Sequence, residues 1–201
     1  MRVRQSVLIQ SVSSLNLTRG CMLLILANSA LATGPGFALK DAHGMTHTAE
    51  ELSRQKATVF MFVATDCPNS NTYAPVLARL YREYSKRGVA FFNVYSDPSE
   101  TAASVGKHDT DFATPFAALL DSHQTLARET GARSTPEVVV LGPAGETLYR
   151  GRVDNRFVDL GKTRYKPTEN DLEEALNAIL QGKAAPHPVT PTLGCAIPGL
   201  E

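Results

Sequence analysis

The chain has 201 residues, of which 43% are hydrophobic and 20% charged, with 20 basic and 20 acidic side chains. This length supports one compact domain or two very small ones, and the apolar fraction is sufficient for a hydrophobic core, which argues against disorder throughout the chain. The formal net charge is zero and no long run of Lys or Arg occurs. Nucleic acid and membrane surfaces are therefore not the expected partners.

The N-terminal segment predicts a secretory signal. Arginines precede a short apolar run, and Ala30-Leu31-Ala32 ends it with the small-x-small pattern of a cleavage site. The run is too short to span a bilayer, which needs roughly 20 residues. We therefore expect residues 1–32 to be removed on export to the periplasm or the exterior, leaving no stable membrane span. The alternatives are an uncleaved anchor and lipidation at Cys21.

Apolar periodicity and turn residues predict alternating strands and helices in the mature chain. In chain order, the first predicted elements are a short helix at 49–55 with a capping box of Thr48 and Glu51, a strand at 57–64, a helix at 72–87 and a strand at 89–95. A helix near 99–108, a short strand or helix edge at 116–120, and a helix from Asp121 or Ser122 to Gly131 follow. The last elements are a hairpin of strands at 138–141 and 146–150 and a helix capped by Thr168 and Asp171 that ends near 181. This order predicts an α/β fold with a mixed central sheet and helices on both faces.

The chemistry concentrates at Cys67, which directly follows a predicted buried strand and directly precedes a helix. The positive end of a helix and its unpaired N–H groups favour thiolate over thiol. Pro68 suits the first helical position, and the Ser70 hydroxyl lies where it can donate to the sulfur. The carboxylate of Asp66 opposes a second negative charge unless it points to solvent. The alternative is an inert buried cysteine.

The segment FMFVATDCPNSNTYAPVL resembles the active-site segment of the thioredoxin superfamily, where a strand, a Cys-x-x-Cys motif and a helix with a proline follow one another. Cys67 and Pro75 occupy the places of the first cysteine and that proline. Thr135-Pro136 in STPEVVVL resembles the family's cis-proline loop, which receives substrate backbone beside the active sulfur. Upstream, FALKDAHG resembles the beginning of redoxin domains. The chain is most similar to the redoxin (alkyl hydroperoxide reductase/thiol-specific antioxidant) branch, in particular to exported bacterial members.

This resemblance implies a three-layer α/β/α domain over residues 37–182, followed by an extended C-terminal tail at 183–201. It implies Cys67, Ser70, Thr135 and Pro136 as catalytic residues, and no cofactor. Because Ser70 replaces the second cysteine of the motif, no disulfide can form within the motif. The peroxiredoxin pattern Pro-x-x-x-Thr/Ser-x-x-Cys is also missing, which weakens the expectation of peroxide reduction.

After signal cleavage, Cys67 and Cys195 are the remaining cysteines, in a compartment where disulfides persist. Cys195 lies in a tail long enough to fold back across the domain, since loop-closure cost rises slowly with length. It is a resolving cysteine, a partner in a structural disulfide, or unpaired. The fold also implies that the loop after the fourth strand lies near the cysteine. There Arg152, Asp154 and Arg156 line the site or form an internal ion-paired loop.

Two classes of function follow. The first is an exported thiol redox protein in which Cys67 attacks a disulfide or a hydroperoxide and an unidentified thiol reductant restores it. The second is a non-catalytic binding module of the same fold. It would carry a partner protein, or copper through His43, Met45 and His47. The remaining histidines, His108, His123 and His187, are predicted to lie on the surface.

Overall fold

The computed structural model describes residues 36–159 and 161–200, so the predicted signal at 1–32 lies outside the described residues. The helices are α1 (Pro68–Thr72), α2 (Ala74–Tyr84), α3 (Ala102–Phe112), α4 (Thr125–Thr130) and α5 (Asp171–Ile179), with 3-10 turns at Ala49–Arg54 and Ser85–Arg87. The strands are β1 (Ala38–Asp41), β2 (Thr46–Thr48), β3 (Ala57–Val63), β4 (Val89–Tyr95), β5 (Ala118–Leu120), β6 (Ser134–Thr135), β7 (Glu137–Leu141), β8 (Thr147–Gly151), β9 (Phe157–Asp159), β10 (Lys162–Thr163) and β11 (Cys195–Ala196). None of the described helices is long and apolar enough to cross a membrane.

Seven strands form one mixed sheet in the order β2-β1-β5-β4-β3-β7-β8. Strands β3, β4 and β5 are parallel, and β7 pairs antiparallel with both β3 and β8. Strand β1 pairs antiparallel with β5 and β2 at the other edge. Outside this sheet, β9 pairs with β10 and β6 pairs with β11. The mixed sheet confirms the predicted α/β fold.

Every residue of the central strand β3 is buried, so the strand is covered on both faces of the sheet. Val59 and Met61 face the layer that contains α2 and α5, whereas Phe60 and Phe62 face the layer that contains α4. Residues from the C-terminal tail join the second core, where Ile197 is buried. Two cores separated by one sheet confirm the three-layer arrangement.

The helix predicted at 72–87 is two helices. Pro75 has no N–H to continue the hydrogen-bond ladder from α1, so α1 ends at Thr72 and α2 begins at Ala74. The helix predicted near 99–108 is shifted to 102–112. The carboxylate of Asp97 accepts hydrogen bonds from Ser99 in a turn ahead of that helix. Its actual cap is Thr101, which accepts a hydrogen bond from the N–H of Ser104.

The capping box predicted at Thr168 is wrong. The side chain of Thr168 is occupied elsewhere, because its hydroxyl accepts a hydrogen bond from Asn155 at 2.8 Å. Helix α5 therefore begins at Asp171, with Asn170 as its cap. The helix predicted to start at Asp121 or Ser122 begins later, at Thr125, with Gln124 as its cap, and Gly131 follows its end as predicted. The side chain of Asp121 nevertheless binds the start of this helix. Its carboxylate accepts hydrogen bonds from two N–H groups in the first turn of α4.

Candidate active site

Cys67 lies at the junction that the sequence predicts, as the N-cap of α1 with Pro68 at the start of the helix. Its side chain has no exposed surface. In the thiol form the sulfur donates a hydrogen bond to the backbone carbonyl of Thr135, at 3.2 Å. Because α1 has only five residues, we expect individual hydrogen bonds, more than a helix dipole, to determine the ionisation of this thiol.

The pKa of Cys67 is lowered although the residue is buried. Burial raises this pKa, but hydrogen bonds from the hydroxyl and N–H of Ser70, from the side chain of Thr135 and from Cys195 outweigh it. Within the described part of the chain, the hydroxyl oxygens of Ser70 and Thr135 have no hydrogen-bond partner in the thiol form. An ionised sulfur supplies the acceptor that both buried hydroxyls lack. The site is therefore prepared for a thiolate.

Asp66 does not oppose this ionisation. Its side chain is exposed to solvent, which is the condition stated above for a lowered Cys67 pKa. Its charge acts on the other cysteine instead, where it contributes to a raised pKa of Cys195.

Cys195 lies directly beside Cys67. Strand β11 pairs antiparallel with β6 and places Cys195 opposite Thr135, the residue whose carbonyl accepts the Cys67 hydrogen bond. Both cysteines are free thiols. The hydrogen bond to Cys67 is the largest cause of the raised pKa of Cys195, followed by burial and by the charges of Cys67 and Asp66. The fold thus brings together two sulfurs that are far apart in sequence, one buried with a lowered pKa and one exposed with a raised pKa.

The peptide bond between Thr135 and Pro136 is cis, which confirms the prediction for this loop. Pro136 also borders a pocket of about 340 Å³ next to the tail. The pocket is lined by Tyr73, Pro136, Arg152, Val153, Asp154, Phe157, Val158, Arg164, Pro191 and Leu193. Of the three predicted site-lining residues of the loop, Arg152 and Asp154 are among these.

The arginines of this loop form internal ion pairs. Arg152 binds the carboxylates of Asp171, at 2.8 Å, and of Glu169. Arg156 binds Asp154 at 2.9 Å and stacks on the ring of Tyr73. Neither arginine is among the causes of the Cys67 pKa shift. Of the two interpretations that the sequence left open, this arrangement corresponds to the ion-paired loop.

The prediction that His108 lies on the surface is wrong. His108 is buried on α3, where one ring nitrogen pairs with the hydroxyl of Tyr95 at 2.9 Å and the other with Asn71 of α1 at 2.8 Å. Burial lowers its pKa. This network anchors the helix that follows Cys67. The signal in the sequence was the helical spacing from Val105, which places both residues on the buried face.

The histidines considered for copper are not arranged for it. Both ring nitrogens of His47 are taken by carboxylates, of Asp41 at 3.2 Å and of Glu51 at 3.1 Å. Met45 is exposed. Residues 36–159 and 161–200 contain no group of three or more His, Cys, Asp or Glu that could hold a metal ion.

The mixed sheet, the cysteine between β3 and α1, and the cis-proline before β7 define a thioredoxin-like fold. The AhpC/TSA family matches residues 32–150, and the chain belongs to this family. This confirms the resemblance to the redoxin branch that the motifs indicated. No curated protein sequence matches the chain.

Solved structures of similar fold cover most of the chain. A hypothetical protein from Sinorhizobium meliloti is 29% identical, with a TM-score of 0.71, over 81% of this chain and 90% of its own. An uncharacterized conserved protein from Geobacillus kaustophilus is 27% identical, with a TM-score of 0.73, over 82% of this chain and 89% of its own. A putative thiol:disulfide interchange protein from Chlorobium tepidum is 17% identical, with a TM-score of 0.59, over 74% of this chain and 95% of its own, which shows a shared fold.

Replacing Ser70 with alanine is expected to raise the pKa of Cys67, because the thiolate loses a hydroxyl donor while burial is unchanged. A hydrogen bond to a charged group contributes about 1.5 kcal/mol or more, so the midpoint of thiolate formation should move up by roughly one pH unit. The pH dependence of the reaction with a small disulfide measures this change. Ser53→Ala, at an exposed serine in the 3-10 turn, is the matched control and should leave the profile unchanged. An unchanged profile in Ser70→Ala would contradict the role of this hydroxyl.

Proposed function

We propose that this protein is an exported thiol redox protein in which Cys67 and Cys195 cycle between a dithiol and a disulfide. In this proposal Cys67 is the nucleophile toward disulfides or hydroperoxides, and Cys195 resolves the product. Membership in the AhpC/TSA family supports a thiol redox function in general. The basic start, apolar run and small-residue end of residues 1–32 support export.

One observation carries the proposal: the register that sets Cys195 opposite Thr135. Thr135 contacts both cysteines, since its carbonyl accepts a hydrogen bond from the Cys67 thiol and its strand partner is Cys195. The two thiols interact directly, and their pKa values are shifted in opposite directions. A lowered pKa suits the attacking sulfur of Cys67, because the thiolate is the reactive form.

With a disulfide RSSR, the Cys67 thiolate attacks one sulfur, forms a mixed disulfide and releases RS⁻, which takes up a proton. Cys195 then loses its proton and attacks the sulfur of Cys67, which forms the Cys67–Cys195 disulfide and releases the second RSH. With a hydroperoxide ROOH, Cys67 becomes a sulfenic acid and ROH leaves. Condensation with Cys195 then releases water. Two equivalents of an external thiol return the pair to the dithiol. The cysteines carry the electrons in every step.

The burial of Cys67 sets a condition on this chemistry. Its sulfur has no exposed surface, whereas Cys195 is exposed. A substrate therefore reaches Cys67 only when the tail lifts locally around Cys195. The same burial would also suit a structural disulfide that fastens the tail, so the test must measure redox cycling as well as bond formation.

Oxidation of the full chain tests the proposal. Treatment with stoichiometric hydrogen peroxide or cystamine, followed by proteolysis and mass spectrometry, should show a Cys67–Cys195 disulfide that a small thiol reduces under native conditions. Cys21→Ser is the matched control, since it removes the third cysteine and should leave this product unchanged. A Cys67–Cys195 bond that resists reduction in the native protein would indicate a structural role. Absence of any oxidation at Cys67 would reject the proposal.

A further inference from the structure

We propose that the tail strand β11 excludes protein disulfides from Cys67 and restricts the site to small disulfides and hydroperoxides, with Gly194 as the residue that sets this specificity. The inference rests on the proposed function, because it assigns a substrate class to the same sulfur.

Strand β6 offers its backbone next to the Cys67 sulfur. Among the described residues, its strand partner is β11 alone. A strand paired with β6 places the residue opposite Thr135 next to Cys67, as the position of Cys195 shows. An extended client peptide that adds a strand to this edge would need the place that β11 takes. The tail therefore competes with any protein client that docks in this manner.

Gly194 makes this occupation possible. A Cβ atom on Gly194 would lie 2.0 Å from the carbonyl oxygen of Thr135 and 3.0 Å from Cδ of Pro136. Real Cβ atoms essentially never make a contact as short as the first of these, and that carbonyl belongs to backbone that cannot swing aside. Glycine is needed at this position because the backbone of the tail lies against the cis-proline loop and leaves no room for a Cβ atom. Any side chain at this position pushes β11 away from β6.

The tail is held on both sides of Cys195. Upstream, the hydroxyls of Thr192 and Ser134 pair at 2.7 Å. Downstream, the N–H of Ile197 donates to the carbonyl of Arg133 at 2.9 Å, and the Arg133 guanidinium donates to the carbonyl of Leu200 at 2.6 Å. Ile197 and Leu200 are both buried. A short lift around Cys195 breaks few of these contacts, whereas admission of a whole client strand requires most of them to break.

The space left beside the tail suits a small molecule. A pocket of about 140 Å³ borders Cys195 and Thr135. Its lining residues are Val63, Ala64, Asp66, Asp97, Thr135, Cys195, Ala196, Ile197 and Pro198. Pockets for drug-sized ligands are larger, at about 300 Å³ or more, so the volume of this pocket suits a small disulfide or a hydroperoxide that approaches from the side of Cys195.

The test compares two substrates on the full chain: insulin as a protein disulfide and cystamine as a small one. Wild type should react with cystamine and only slowly with insulin. Gly194→Val should raise the rate with insulin by about tenfold or more, because loss of one or two strand hydrogen bonds raises the open population by that factor, and should change the rate with cystamine much less. Ala184→Val, at an exposed position of the same tail, is the matched control and should behave like wild type.

Thr192→Ala removes one upstream anchor with little risk to folding and should give a smaller gain with insulin in the same direction. If Gly194→Val and Thr192→Ala are folded by circular dichroism and neither gains activity toward insulin, the exclusion by the tail is rejected while the thiol function stands. Wild type that reduces insulin as fast as cystamine also rejects it. If wild type reacts with neither substrate, the proposed function fails, and this inference fails with it.

Discussion

Replacing Cys67 with serine is expected to abolish the fast reaction of the protein with disulfides. A serine hydroxyl is not ionised at neutral pH and does not attack sulfur, so the rate should fall to that of an ordinary exposed thiol, which Cys195 still supplies. Volume and burial at the site remain nearly the same, and the variant should therefore fold as wild type does. Adduct formation with cystamine, followed by intact-protein mass spectrometry, measures the loss.

Cys195→Ser separates the two steps. The first attack should proceed, but the mixed disulfide at Cys67 should accumulate because no sulfur resolves it. The rate of its formation should rise with pH as Cys67 ionises, with a midpoint below that of a free cysteine, because the hydrogen bonds from Ser70 and Thr135 that lower the Cys67 pKa remain in this variant. A midpoint at or above that of a free cysteine would contradict the prepared thiolate. Turnover by Cys195→Ser at the wild-type rate would exclude a resolving role for Cys195.

Asp154→Ala is expected to lower the free energy of unfolding by about 3 kcal/mol, the cost of breaking a buried ion pair by removing one partner. The Asp154 carboxylate is buried and accepts hydrogen bonds from the Arg156 guanidinium and N–H and from the Tyr73 hydroxyl at 2.8 Å. Removing it leaves the guanidinium of Arg156 stacked on Tyr73 without its carboxylate. Urea unfolding measures the change through the transition midpoint.

Asp111→Ala is the control for this stability prediction. Asp111 pairs with Lys107 on the surface of α3, where both side chains are largely exposed. Solvent screens such a pair, and its loss should change the unfolding free energy by no more than about 0.5 kcal/mol. Equal effects of the two substitutions would show that the Asp154 cluster contributes no more than an ordinary surface ion pair.

Local patterns predicted the elements that build the site. Strands β3 and β4 are continuous apolar runs, and the observed strands agree with the predicted ones to within one residue. Cys67 could be placed between a strand and a helix because a continuous apolar run ends just before it and the 3.6-residue spacing of a helix begins after it. The cis-proline loop was found by its resemblance to the family, since an X-Pro pair alone is cis in only about 5% of cases.

The sequence alone did not show which of several possible partners a polar side chain pairs with in the folded protein. Thr168 satisfied a local capping rule, yet its side chain pairs with Asn155 from the preceding loop. Arg152 and Arg156 had two consistent interpretations until Asp171 and Asp154 were seen beside them. Each outcome depends on which segment arrives at a given distance after packing.

By itself, the sequence determined the layered α/β fold, the strand-to-helix position of Cys67 and the absence of a second cysteine in its motif. These follow from neighbouring residues, because periodicity, capping and turn chemistry act within a few positions. Only the tertiary structure decided that Cys195 lies beside Cys67, and that Gly194 of the tail packs against the backbone of Thr135. The free energy of closing so long a loop hardly depends on its length, so spacing along the chain cannot select the register that brings two sulfurs together.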